Sequence, residues 1–419
     1  MNGWRDIKLK EVSKYVTVGF VGSMADQYVE AGVPFLRSLN IQPFRLNYND
    51  LKYIPESFHD AIKKSKLRPG DVAIVRTGYP GTACVIPADL PDANCSDLVI
   101  LRPGPELNPH YIAAVFNSSF GQNLVGGNLV GAAQQHFNVT VAKELKLRLP
   151  PRLEQDKIAA VLVGLNDLIA NNQRRIALLE SMAEEIYREW FVRMRFPDAA
   201  NGVTRVNPPA DWSSIDLPKL ASITYGFTFA GERFSELEVG RKIIRIRDVL
   251  AGDSKTYTDE IADDKYIVRA GDLLIGMDGE FHMNHWIADD AYLVQRTCRV
   301  APKQERLRAY VAHALKAPIS HYQQTIVGAT VGHLGAKHLN AIKLLVPPES
   351  LNPQLELLNQ LLEQRLVLSK QNLRLAKSRD ALLPRLISGK LRVDALDIQF
   401  PPSIQPPPTK VAQPVAICT

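Results

Sequence analysis

Five short patterns occur twice along this chain, in the same order, and that duplication limits the open folds more than any single motif does. Gly3-Trp4 followed by Ile7, Leu9 and Val12 returns as Asp211-Trp212 followed by Ile215, Leu217 and Leu220. Phe35-Leu36-Arg37 to Ile41 returns as Ile243-Ile244-Arg245 to Val249. Gly70-Asp71 with Val72 and Ile74 returns as Gly271-Asp272 with Leu273 and Ile275. Gly131-Ala132 to His136 matches Gly328-Ala329 to His333, and Lys146-Leu147 to Pro150-Pro151 matches Lys343-Leu344 to Pro347-Pro348. The offset between copies shrinks slowly along the chain, as it does for diverged copies with small deletions. The 419 residues therefore form two copies of one unit of about 200 residues.

Each unit starts with a mixed part and ends in a long helix, so the expected class is α+β. Short Val/Ile-rich runs such as Val72–Val75 and Leu273–Ile275, bounded by Gly and Pro, read as strands. Short helices are expected near Tyr111–Phe116 and Tyr310–Leu315. The Pro-Pro pair then opens the long helix, where a missing N–H costs nothing. The expected division is 1–150 for the first mixed domain, 151–195 for the first long helix and 196–210 for a linker. It continues with 211–348 for the second mixed domain, 349–390 for the second long helix and 391–419 for a Pro-rich tail.

The helices carry the clearest periodicity. Ile158, Leu162, Leu165, Ile169, Asn172, Ile176, Leu179, Ala183, Ile186 and Trp190 step by four and three, the seam of a coiled coil. In the second copy the matching positions are Leu355, Asn359, Leu362, Leu366, Ser369, Leu373, Ala376, Asp380, Leu383 and Ile387, a less pure seam in the same phase. At ~1.5 Å per residue each helix is roughly 50–60 Å long. Asn172 and Ser369 sit at corresponding seam positions, where a polar layer can fix register. Antiparallel pairing of the two helices, with a mixed domain at each end, is the expected arrangement; pairing between separate chains is the rival.

Function classes fall away in turn. The first residues carry Arg5, Asp6 and Lys8 with no apolar signal core behind them, and the longest apolar runs, such as Ile158–Leu165, are too short for a membrane span. A cytoplasmic protein with no membrane partner is expected. Cys84, Cys95, Cys298 and Cys418 form no CxxC pair, so neither a disulfide scaffold nor a zinc finger is expected. No phosphate-binding loop or dinucleotide Gly fingerprint exists. Asn207-Pro208-Pro209 resembles part of an amino-methyltransferase loop, but Ala210 stands where an aromatic belongs. Glu144-Leu145-Lys146 has a nuclease-like spacing, yet Glu144 matches Ala341 in the second copy. Asp71 and Asp272 read as turn residues bonding backbone amides. No catalytic residue, cofactor or metal is expected, and the chain is read as a non-enzyme.

Binding residues are more suggestive. The net charge is +6, with acids well mixed in, so an anionic partner needs local clusters of bases. Lys63, Lys64, Lys66 and Arg68 form one cluster, with Arg76 beyond the next strand; Arg241, Lys242, Arg245 and Arg247 form another. Gln134, Gln135 and His136, and Thr330 to His333, lie on equivalent Gly-flanked loops suited to a groove of double-stranded DNA. A duplicated scaffold that binds other proteins through its helices is the competing reading.

The Pro-Pro helix openings, the stretch Ile186-Tyr-Arg-Glu-Trp-Phe-Val-Arg193, the ending Leu383-Pro-Arg-Leu-Ile-Ser-Gly-Lys390 and the Gly-Asp strand starts resemble the specificity subunits of type I restriction–modification systems. The resemblance covers nearly all of residues 1–395. It implies two target-recognition domains that each read half of a split DNA sequence across a spacer set by the paired helices. It also implies methyltransferase (modification) subunits, two in number, docked on the helices, and motor–nuclease (restriction) subunits joining the assembly.

Overall fold

The computed structural model describes residues 3–129, 136–195, 211–326 and 332–404. Gln134, Gln135, Thr330, the linker 196–210 with its Asn-Pro-Pro stretch, Cys418 and most of the tail lie outside the described residues. The chain divides into two compact units, Met1–Ile169 with Leu375–Thr419, and Ala170–Arg374, so each unit holds part of both long helices.

In the first unit the strands Ser13–Val18, Leu98–Pro103, Val72–Val75 and Ala83–Val85 form an antiparallel sheet in that order. Its inner strands are apolar on both faces because both faces are covered. Val72, Ile74, Val99 and Leu101 pack on the helix Pro109–Asn117 through Tyr111, Ile112 and Val115. The alternate residues Ala73, Val75, Leu98 and Ile100 pack instead with Leu36, Cys84 and Cys95. That second layer includes a sheet of Lys52–Ile54, Val33–Leu36, Ala93–Cys95 and Lys66–Leu67, whose middle pair is parallel. Arg5–Lys8 pairs with Lys146–Leu149, tying the start of the unit to the entry of its long helix.

The second unit repeats this plan. Ala221–Tyr225, Thr297–Pro302, Leu273–Gly276 and Met283–His285 form the first sheet in the same order. Arg241–Ile244 and Ala291–Leu293 are the parallel pair of the second. Ser213–Asp216 pairs with Lys343–Val346 as its counterpart does. The helix Arg308–Thr325 runs well past the expected Tyr310–Leu315, carrying Pro318 inside it.

Asp71 and Asp272 hold their turns as the Gly-Asp pattern implies, accepting the N–H of Arg68 at 2.9 Å and of Arg269 at 2.8 Å. Asp71 does more. Its side chain is 2% exposed and takes a two-pronged ion pair from Arg102, at 2.7 and 2.6 Å. In the second unit Arg299 serves Asp272 at 3.4 Å, from a strand position two residues earlier and so on the same strand face.

The long helices, Arg152–Tyr187 and Asn352–Ile387, pair antiparallel within the chain. In the first unit Ile158 and Leu162 pack with Leu383, Leu386 and Ile387, and Arg379 donates to Asn166 at 3.0 Å. In the second unit Ala183 packs with Leu355, Leu358 and Leu362, and Arg365 pairs with Glu180 at 2.6 Å. Leu165, Ile169, Ile176, Leu179, Leu366 and Leu373 are half-buried. The second helix also buries Leu358 and Leu361, because the mixed domain presses on a flank of the seam, and Leu368, while Asp380 turns to solvent beside Arg379. Asn172 is buried, and its amide donates to Asn372 Oδ1 at 3.0 Å. Ser369 bonds its own helix at Arg365 O, so the polar layer joins Asn172 to Asn372 rather than to Ser369.

A cavity of about 310 Å³ in the second unit is lined by His285, His313, Lys316 and Arg365 among leucines. Burial, and then the nearby Arg365 guanidinium, push His285 down to about 3, and burial pushes His313 down to about 4 against an ordinary value of 6.5. Both imidazoles are neutral when folded, so the unfolded state binds more protons as pH falls. Stability is full above pH 6.5 and is lost toward the folded values, at roughly 1.4 kcal/mol per pH unit per histidine. Urea unfolding between about pH 7 and 4.5 is expected to show this loss. His285→Gln with His313→Gln should lower the slope without abolishing it, because burial also pushes His110 down to about 4; an unchanged slope in that variant places the acid sensitivity elsewhere.

Candidate nucleic-acid interface

In the first unit the pairing Leu98↔Val75 brings Arg76, Thr77 and Asp97 to one end of the sheet. The parallel pairing Leu36↔Cys95 sends Arg37 and Ser38 to the same end, and Lys66↔Asn94 sends Lys63–Ser65 there from the other side. Asp97 sits in the left-handed region at φ 55°. It accepts from Ser38 Oγ at 3.1 Å and from Thr77 Oγ1, with Arg76 at 3.9 Å. Arg76 is stitched to Phe137 by two bonds, its backbone O accepting from the Phe137 N–H and its Nε donating to Phe137 O, which places the half-buried His136 beside this cluster.

The second unit builds the same end with different chemistry. The pairing Gly276↔Thr297 brings Asp278 and Arg296 together, and Arg296, at φ 70°, occupies the place of Asp97. Asp278 is paired with Arg296 at 3.1 Å and with His333. Leu334 N–H donates to Met277 O at 2.7 Å, repeating the Phe137–Arg76 stitch. The acid comes from one strand in the first unit and from its neighbour in the second.

The candidate bases divide into groups. Lys63, Lys64 and Arg247 are exposed and carry no ion pair among the described residues. Arg68 is exposed too, but stands at the opposite end of its strand, by the Asp71 turn. Lys66 is held by Asp60 at 2.7 Å, Lys242 by Asp253 at 2.6 Å, and Arg245 by Asp248 at 3.2 Å and by Thr256. Arg241 lies over the Tyr292 ring at 5.0 Å, at the far end of a strand whose C-terminus leads to Arg245 and Arg247. The two basic clusters occupy different places in their units, since Arg245 corresponds to Arg37 and Lys64 to Lys265.

Sequence reading passed over Thr77, Asp97, Asp278 and Arg296. It also passed over a sixth repeat, Val18-Gly19-Phe20-Val21 against Tyr225-Gly226-Phe227-Thr228, which delivers a loop to the same sheet end. Both glycines are required by close approach. A Cβ on Gly226 would lie 2.0 Å from Val294 O, and one on Gly19 2.9 Å from Cys95 O.

Cys84, Cys95 and Cys298 are buried, and burial pushes the Cys84 and Cys298 thiols up to about 12. Among the described residues no three His, Cys, Asp or Glu side chains converge as metal ligands, and no helix is long and apolar enough to cross a membrane.

No family model matches the chain. It is 30% identical over 197 residues to the type I restriction enzyme EcoBI specificity subunit of Escherichia coli, covering 47% of this chain and 37% of that protein. It is 23% identical over 292 residues to the MjaIX specificity subunit of Methanocaldococcus jannaschii, covering 64% of this chain and 65% of that one. To the putative MjaX specificity subunit of the same organism it is 21% identical over 424 residues, 93% of this chain and 94% of the relative. The alignments thus span about a third to two thirds of the first two relatives and nearly all of the third. In fold the chain is similar to the crystal structure of a type I restriction–modification S subunit from M. genitalium, with a TM-score of 0.59 at 15% identity over 92% of this chain and 96% of that one. In sequence, then, the chain is similar to specificity subunits of type I restriction enzymes, and its fold is that of the M. genitalium S subunit.

Proposed function

We propose that this chain is the sequence-reading, non-catalytic subunit of a type I restriction–modification complex. Each unit reads one half of a split duplex target, the antiparallel helices set the gap between halves, and methyltransferase and motor–nuclease subunits of the cytoplasm supply the chemistry. The observation that carries this reading is the matched sheet end: both units bring polar side chains of mixed donor and acceptor character to the same place in the fold. Exposed cations stand there as well, Lys63 and Lys64 in one unit and Arg247 in the other. Cations position a duplex through phosphates, and donors and acceptors between them read base edges. The scaffold reading explains the duplication but gives no reason for these side chains to collect at one sheet end.

Two diverged domains on one chain also bind better than either alone, because the second binding step is intramolecular. Binding to duplex DNA should weaken steeply with salt. Changing Lys63, Lys64 and Arg247 to Ala is expected to reduce the log–log slope by roughly 0.9 for each phosphate that is no longer neutralised. Arg245→Ala should act on the fold instead, since its guanidinium is spent on Asp248 and Thr256. Fluorescence anisotropy across a salt series measures both; an unchanged slope in the triple variant removes these cations from the interface.

A further inference from the structure

The hairpin Thr77–Thr82 in the first unit carries an aromatic that joins no apolar cluster among the described residues. Tyr79 is 84% exposed, at the tip of a turn with little freedom. Its N–H donates to Thr77 O at 3.1 Å, Gly81 N–H to Val75 O at 3.0 Å, and Thr82 N–H back to Tyr79 O at 3.2 Å. Gly78 and Gly81 take φ of 83° and 90°, and Gly81 lies against Val125 and Gln122. Thr77, at the root, is bonded to Asp97. A second exposed apolar side chain, Val21 at 73%, reaches the same end, because Phe20 bridges Ser96, the residue before Asp97.

The corresponding positions of the second unit hold no such pair. Glu280 stands in place of Tyr79 and pairs with His282 at 3.2 Å, and Thr228 stands in place of Val21 and bonds Gln295. A carboxylate at the tip would be repelled by phosphates, whereas the first unit's apolar tip is accompanied by Lys63 and Lys64.

Building on the DNA-reading function proposed above, we propose that Tyr79, flanked by Val21, is a specificity-determining wedge that presses into one base step of the first half-site. A rigid, two-torsion aromatic on a fixed turn loses little entropy on binding. Apolar wedges unstack a step and kink the duplex, and pyrimidine–purine steps yield most readily. The first half-site should therefore contain a TA or CA/TG step opposite Tyr79. Among the described residues of the second unit, Asp278, Arg296 and His333 are the side chains collected at the corresponding place, with no exposed aromatic tip.

The test selects bound duplexes from a randomised pool with the full chain, at fixed salt, for the native protein, Tyr79→Ala and Tyr79→Phe. Tyr79→Ala should lose its preference at one step of one block and bind about ten- to a hundredfold more weakly, with the other block intact; Tyr79→Phe should match the native protein. With 2-aminopurine at that step, fluorescence should rise several-fold on binding the native protein and not on binding Tyr79→Ala. An unchanged motif and affinity in Tyr79→Ala, or no 2-aminopurine response in the native complex, overturns the wedge. A native chain that selects no motif at all overturns the DNA-reading function beneath it.

Discussion

Arg102→Ala should destabilise the first unit by about 3–5 kcal/mol, because it strands the Asp71 carboxylate without its counter-ion. Asp71 is 2% exposed, so water cannot take the place of the guanidinium, and the single N–H from Arg68 does not offset a buried charge. Arg299→Ala in the second unit removes the corresponding partner at much lower cost, about 1–2 kcal/mol. There Asp272 is 26% exposed and the ion pair is long, so the main loss is the bond from Arg299 to Ile267 O. Replacing both charges of the first pair, Asp71→Asn with Arg102→Gln, should recover most of the loss. Equilibrium urea unfolding of the full chain distinguishes these outcomes. Equal losses for Arg102→Ala and Arg299→Ala would show that burial of the acid does not set the cost.

Inserting one heptad into each long helix beside the Asn172–Asn372 layer should lengthen the gap in the recognised DNA while leaving both half-sites unchanged. Seven residues keep the apolar seam in phase, so both helices can still pair. They add roughly 10 Å at ~1.5 Å per residue, which is roughly three base pairs at about 3.4 Å each. Those pairs also turn the duplex by about 100°, and the strain of absorbing that twist should lower affinity. The methylated motif in cells carrying the lengthened chain gives the gap directly. An unchanged gap at full activity would mean that the helices are not the spacer; a changed half-site would mean that they touch bases.

The duplication was legible because gene-copy symmetry survives in short apolar and Gly-containing patterns, and the same four-strand orders recur in both units, with Phe234–Ser235 added at one edge in the second. The long helices were legible because a seam repeating over ten positions has no other physical explanation. The details that position the candidate site were not. Asp97 and Arg296 work through a left-handed backbone, which no side-chain pattern announces for an Asp or an Arg. The Gly19 and Gly226 approaches could have been found, since Gly-Phe follows a Val- or Tyr-ended strand in both copies, but the pair is short and its neighbours have diverged. Charge misled in a particular way. Lys66, Lys242 and Arg245 look like free cations in the sequence, yet each is held by an acid from a nearby turn or segment. The seam partner of Asn172 was also beyond a repeat argument. Symmetry pairs it with Ser369, while antiparallel packing delivers Asn372.

The central claim is that one chain reads two separate half-sites with two independently changeable surfaces. The most direct measurement is selection of duplexes from a randomised pool by the native chain and by Arg296→Ala. The native chain should return two conserved blocks at one fixed separation. Arg296→Ala should blur positions in one block, at a cost of about 1–3 kcal/mol against the native base, and leave the other block and the gap untouched. A single contiguous block, a variable gap, or loss of both blocks in Arg296→Ala would contradict it.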